Sequence, residues 1–130
     1  MTRTMTAAAA VVFTALAGGA ASAQTPPMSS HLSPGFIHCL QRAGENPVQR
    51  SVCGERETGA QDDRLNKAYQ QVMHQLAGDP AAHTALRDEE RRWIQERDYT
   101  CKVNGNTVDA ACIVMKTAMR ADQLESRVKF

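Results

Sequence analysis

The chain predicts an all-α fold, a small disulfide-stapled bundle or hairpin of about four helices. Three observations carry that prediction. A helix-start signal recurs at Ser33-Pro34, Asn46-Pro47 and Asp79-Pro80, each a good N-cap followed by proline at the first helical position. Three long stretches place their apolar residues at helical rather than alternating spacing. Four cysteines, Cys39, Cys53, Cys101 and Cys112, fall among these stretches, and strand signals are nearly absent.

The elements follow in order. Residues 1–23, MTRTMTAAAAVVFTALAGGAASA, read as a secretory signal peptide: Arg3 for the positive end, Ala7–Ala17 for the apolar run, and Ala21-Ser22-Ala23 as the cleavage site. The apolar run is too short for a membrane span, which needs roughly 20 residues. No cysteine stands at the cleavage site, so neither a lipid anchor nor a stable membrane anchor is expected. Residues 24–33, with Pro26-Pro27 and Ser29-Ser30, are expected to form a flexible tail. Residues 34–130 are then one helical domain, enough chain for a single core and not two.

Within it, a short helix opens near residue 34 and ends at Gly44. A long helix opens near 47 and runs to about Ala77, with Gly59 expected to interrupt or kink it. A second long helix opens near 80 and runs to about Val103. Asn104-Gly105-Asn106 breaks the chain, Thr107 or Asp109 caps the last helix, and that helix runs to about Val128.

An even cysteine count in a small exported domain reads as two disulfides. Three pairings are possible. Cys39–Cys53 with Cys101–Cys112 is favoured because each then staples adjacent helices through a short loop, worth about 3 kcal/mol apiece in the chain-entropy model. A metal site built from Cys39 and Cys53 with His31 or His38 is the rival, but its spacing matches no zinc pattern.

The stretch Leu86–Cys101 holds the most specific information. Wound as a helix it puts Leu86, Glu90, Trp93, Arg97 and Cys101 on one stripe. Leu, Trp and Cys say that the stripe faces a core. Glu90 and Arg97 on it need partners, because an unpaired buried charge costs several kcal/mol. In the first long helix Leu65, Tyr69, Val72 and Leu76 form the apolar face, with Asp62 within roughly 60° of its centre and Asn66 at its margin. In the last helix Ile113, Thr117, Leu124 and Val128 form the face, with Arg120 in its middle. The expectation is a charge-balanced inward network of Asp62, Glu90, Arg97 and Arg120, with Asn66 beside it.

Those residues also carry a family resemblance. The segments Asp62-x-x-Leu65-Asn66-x-x-Tyr69 and Arg92-Trp93-Ile94-x-x-Arg97-Asp98-x-x-Cys101, then Cys112 and Arg120-x-x-x-Leu124, resemble the small secreted domain of the LprI family. The likeness covers roughly residues 36–128 and departs at Glu90, where the family commonly has Gln. It implies a binding protein that inhibits lysozyme.

Catalytic signals are weak. The four histidines, His31, His38, His74 and His83, sit in no nucleophile or metal context. Glu89, Glu90 and Glu96 supply no substrate cleft of the kind glycosidases use. There is no Gly-rich phosphate loop and no C-x-x-C, so neither enzymatic activity nor a cofactor or metal is expected. Cleavage after Ala23 removes Arg3 and brings Lys+Arg from 15 to 14, against 14 Asp+Glu. A near-neutral mature chain argues against nucleic acid and anionic lipid as partners.

A lysozyme inhibitor needs a rigid protrusion that enters the enzyme's cleft and offers donors to its carboxylates. The loop between Cys101 and Cys112 fits that description, with Lys102, Asn104 and Asn106 as candidate donors. The alternative function is a non-catalytic periplasmic structural or stress module that binds another envelope protein or a peptidoglycan fragment.

Overall fold

The structure is a computed structural model that describes residues 31–130. The expected signal peptide and residues 24–30 of the expected tail lie outside the described residues. Four helices follow in order: α1 (Pro34–Ala43), α2 (Pro47–Gln75), α3 (Pro80–Thr100) and α4 (Ala110–Glu125). Between α3 and α4 stand two very short strands, β1 (Lys102–Asn104) and β2 (Thr107–Val108), paired antiparallel.

Local chemistry sets the starts. Ser33 Oγ accepts from the Phe36 N–H at 3.0 Å, Asn46 Oδ1 from Gln49 at 3.0 Å, and Asp79 Oδ1 from Ala82 at 3.0 Å. Each satisfies one of the amide donors that a helix N-terminus leaves orphaned, and each is followed by the proline that needs no such partner. Asp109 caps α4 by accepting from Ala111 at 3.0 Å and Cys112 at 3.4 Å. Gly44, at φ 54, turns the chain out of α1.

Gly59 does not interrupt α2, which runs unbroken for 29 residues. The glycine that matters is Gly54. A Cβ built there would lie 2.4 Å from the Ala110 carbonyl carbon and 2.5 Å from the Ala111 nitrogen. The start of α4 therefore rests directly on the α2 backbone.

The long seam of α2 against α4 is the spine of the domain. At its N-terminal end, Leu32, Phe36, Ala43, Cys53, Ala111, Val114 and Ala118 form one buried cluster, closed over by α1. At the other, Leu65, Ala68, Val72, Leu86, Ala121 and Leu124 form a second, with Tyr69, Trp93, Leu76 and Val128 at its edge. Helix α3 adds Leu86 and the face of Trp93 to that second cluster.

Both disulfides join the neighbours that the loop lengths favour. Cys39–Cys53 ties α1 to α2, and Cys101–Cys112 ties the end of α3 to the start of α4. The helix ends come slightly earlier than expected, at Gln75, Thr100 and Glu125, and the segment after Cys101 is a small hairpin rather than more helix. His31, Leu32 and Ser33 pack on the body of the domain instead of continuing a loose tail: Leu32 is buried and Ser33 is hydrogen-bonded to Glu57.

Candidate functional site: a stapled hairpin over a polar seam

Two polar networks are built around buried charges, and a short exposed hairpin joins α3 to α4. The first network centres on Arg120. Its side chain is 7% exposed, and its Nε donates to Glu90 Oε2 at 2.9 Å. Its Nη2 donates to Glu89 Oε1 at 2.8 Å and its Nη1 to Gln123 Oε1 at 3.3 Å. Glu89 is further held by Arg127 at 3.1 Å. Burial works against charge on Arg120, but hydrogen bonds to Glu89 and then Glu90, with their charges, outweigh it and raise its pKa. Burial likewise works to raise Glu89, and the Arg120 and Arg127 guanidiniums overcome it, leaving that carboxyl below its ordinary value.

Of the expected inward network, only Glu90 and Arg120 meet directly. Arg97 turns to Asp98, 2.8 Å away, and its Nη1 donates to the buried Thr117 hydroxyl at 3.3 Å. Both guanidiniums lie near the Trp93 ring, Arg97 at 5.1 Å and Arg120 at 5.8 Å from its centroid. Asn66 is exposed and Asp62 half-buried, and neither makes a side-chain hydrogen bond or ion pair among the described residues. The inward polar residue on that stretch of α2 is Gln61, one position back, a rotation of about 100°.

Gln61 belongs to a second network that the sequence reading missed. Buried Glu57 accepts from the Ser33 N–H at 2.9 Å, the Ser33 hydroxyl at 2.7 Å and Gln61 Nε2 at 3.0 Å. Gln61 Nε2 also donates to the His31 carbonyl at 3.0 Å, and its Oε1 accepts from Arg64 at 2.7 Å. Arg64 then reaches across to α4, donating to Asp122 at 2.6 Å and to Glu125 at 2.7 and 3.0 Å. Burial pushes Glu57 up, but the two Ser33 donors and Gln61 more than reverse it and lower its pKa. The available signal was positional: Glu57, Gln61 and Arg64 continue the Leu65–Ala68–Val72 stripe backwards along α2.

His31, Asp122 and Glu125 hold ligand-type atoms within 4.8 Å of one another. The Arg64 guanidinium already bonds to both carboxylates, so the cluster reads as an ion-pair group clasping the entering chain to α2 and α4. A metal there would have to compete with that fixed cation.

The hairpin is of another kind. Residues 102–108 are all exposed, Lys102, Asn104 and Asn106 among them. Lys102 pairs with Val108 and Asn104 with Thr107, and Gly105 supplies the positive φ of 60° at the tip. So short a ribbon is marginal by itself. Its base is closed by the Cys101–Cys112 disulfide and by the Asp109 N–H donating to the Cys101 carbonyl at 2.9 Å. Beside it, Tyr99 is 77% and Val103 52% exposed, and the Lys102 ammonium lies 6.0 Å from the Tyr99 ring centroid. Arg87, Arg91 and Arg92 are exposed on the outer face of α3.

Buried charges tied up in arginine pairs and an exposed, stapled hairpin define a disulfide-bonded helical domain. The chain belongs to the lysozyme inhibitor LprI family, whose model matches residues 39–124. Comparison with curated proteins and with solved structures finds no match. No helix among the described residues is long and apolar enough to cross a membrane.

Proposed function

We propose that this protein is an exported, non-catalytic domain that binds lysozyme and inhibits it by inserting the 102–108 hairpin into the enzyme's cleft. The periplasm is the compartment that fits the leader-like residues 1–23 together with two disulfides. Family membership supports the class of partner.

The observation that carries the choice of surface is the hairpin itself, fully exposed yet held at both feet by Cys101–Cys112. A restrained projection loses little conformational freedom on binding, which is where flexible loops forfeit affinity. Lysozyme cleaves between two carboxyl groups in its cleft. Lys102 offers a cation to such a site, and Asn104 and Asn106 offer amide donors. Tyr99 and Val103 add apolar contact beside the donors, in the manner of interface anchors.

The test is a turbidity assay in which the purified protein is titrated against several lysozyme types acting on bacterial cell walls. Inhibition of one type near equimolar ratio is the expected result. Absence of inhibition across the types would remove lysozyme as the partner and leave a structural envelope module in its place.

A further inference from the structure

We propose that the groove between α3 and α4 binds a small zwitterion, an amino acid or short peptide with free termini. It is a cavity of about 260 Å³, just below the roughly 300 to 1,000 Å³ of ordinary ligand sites. That size suits a single compact molecule.

Its walls are two helical stripes at matching spacing: Trp93, Glu96 and Arg97 from α3, and Lys116, Arg120 and Gln123 from α4. The charges on these walls differ in how far they are already satisfied. Arg120 is charge-paired with Glu89 and Glu90 and bonded to Gln123, so it shapes the groove with its charge already balanced. Arg97 is held by Asp98 and Thr117. Lys116 and Glu96 are exposed and make no side-chain hydrogen bond or ion pair among the described residues.

The groove therefore offers one uncommitted cation from α4 and one uncommitted anion from α3, beside Trp93 with the Arg97 and Arg120 guanidiniums over its ring. A carboxylate beside Lys116 and an ammonium beside Glu96 complete both without adding net charge. A simple anion would satisfy Lys116 but would leave Glu96, on the same groove, without a partner. The inference does not depend on the lysozyme reading, since none of these residues belongs to the hairpin.

Trp93 is the single tryptophan of the chain, so all tryptophan emission comes from a residue that lines this groove. The experiment titrates the purified protein with alanyl-alanine, its N-acetyl derivative and its C-terminal amide, while following Trp93 emission. The expected result is a saturable change with the free dipeptide and binding weaker by roughly threefold or more for each blocked form. In Lys116→Gln the amide should bind as well as the dipeptide, and in Glu96→Gln the acetylated form should. Both side chains are exposed, and circular dichroism checks that the variants fold. No saturable response through the millimolar range overturns the proposal. So does equal binding of all three ligands, or survival of the two penalties in the variants.

Discussion

Arg120 and Glu90 meet across the α3–α4 seam as a hydrogen-bonded ion pair at 2.9 Å, with side chains only 7% and 11% exposed. The pair adds little net stability, because desolvating two charges consumes most of what their attraction returns. Breaking it from one side is a different matter.

Arg120→Met should destabilise the domain by about 3–5 kcal/mol, because it strands Glu90 in a buried position and removes a partner of Glu89. In a double-mutant cycle with Glu90→Gln, denaturant unfolding should show a coupling of about 0.5–3 kcal/mol. The corresponding cycle of Arg97→Met with Glu90→Gln should be closer to additive, since Arg97 bonds to Asp98 and Thr117 instead. Strict additivity for the Arg120–Glu90 cycle would show that the two do not interact.

Gly54→Ala should cost about 1–3 kcal/mol or more, as overpacking against a rigid neighbour does. The added methyl meets the backbone of Ala110 and Ala111, which cannot swing aside as a side chain could. Gly59→Ala, into open space on the same helix, should instead be neutral or stabilising by up to about 1 kcal/mol. Thermal melts of the two variants should move in different directions or by clearly different amounts.

Those two glycines illustrate what could be read from the chain. Helix starts were legible because Ser33, Asn46 and Asp79 act on amides three residues away and precede prolines, a purely local matter. The disulfide pairing followed from loop length, and the stripe Leu86–Glu90–Trp93–Arg97–Cys101 does face inward. The rotation of α2 was less legible. Its buried seam is made partly of Gly54, Ala68 and the facing Ala118 and Ala121, which carry little hydropathy signal. An error of one residue then exchanges Gln61 for Asp62. The Arg64–Asp122–Glu125 clasp joins residues about 60 positions apart, and no spacing rule within one helix reveals such a contact. The β-hairpin was read only as a break, because strands of three and two residues give almost no alternation.

Peptide mapping of the purified, oxidised protein should find no free thiol and should link Cys39 to Cys53 and Cys101 to Cys112. Replacing Cys101 and Cys112 together by serine should cost about 2–5 kcal/mol. Because that bridge also closes the hairpin base, the variant should lose lysozyme inhibition more than replacement of Cys39 and Cys53 does. Linkage of either N-terminal cysteine to the C-terminal pair would contradict the fold.

Acid should weaken the domain through Glu57 and Glu89. Both carboxyls sit below their ordinary value of 4.5 in the folded state, so the unfolded chain takes up protons first as pH falls. Their stabilisation is complete above that value and is lost progressively as pH drops through it toward the lower folded values. Glu57→Gln should flatten the dependence of melting temperature on pH below that point. An unchanged slope would show that Glu57 is not a linked group.

The central claim is that the stapled hairpin is the inhibitory surface, and a comparison of two variant sets tests it most directly. Lys102→Ala with Asn104→Ala removes donors from an exposed ribbon, where substitutions usually change stability by less than about 0.5 kcal/mol. Arg87, Arg91 and Arg92 changed to alanine remove equally exposed charge from the outer face of α3. In a lysozyme turbidity assay the hairpin variant should lose inhibition while keeping its helical signal and melting temperature, and the α3 variant should still inhibit. Loss of inhibition in the α3 variant, with the hairpin variant fully active, would place the binding surface on the helix and contradict the account.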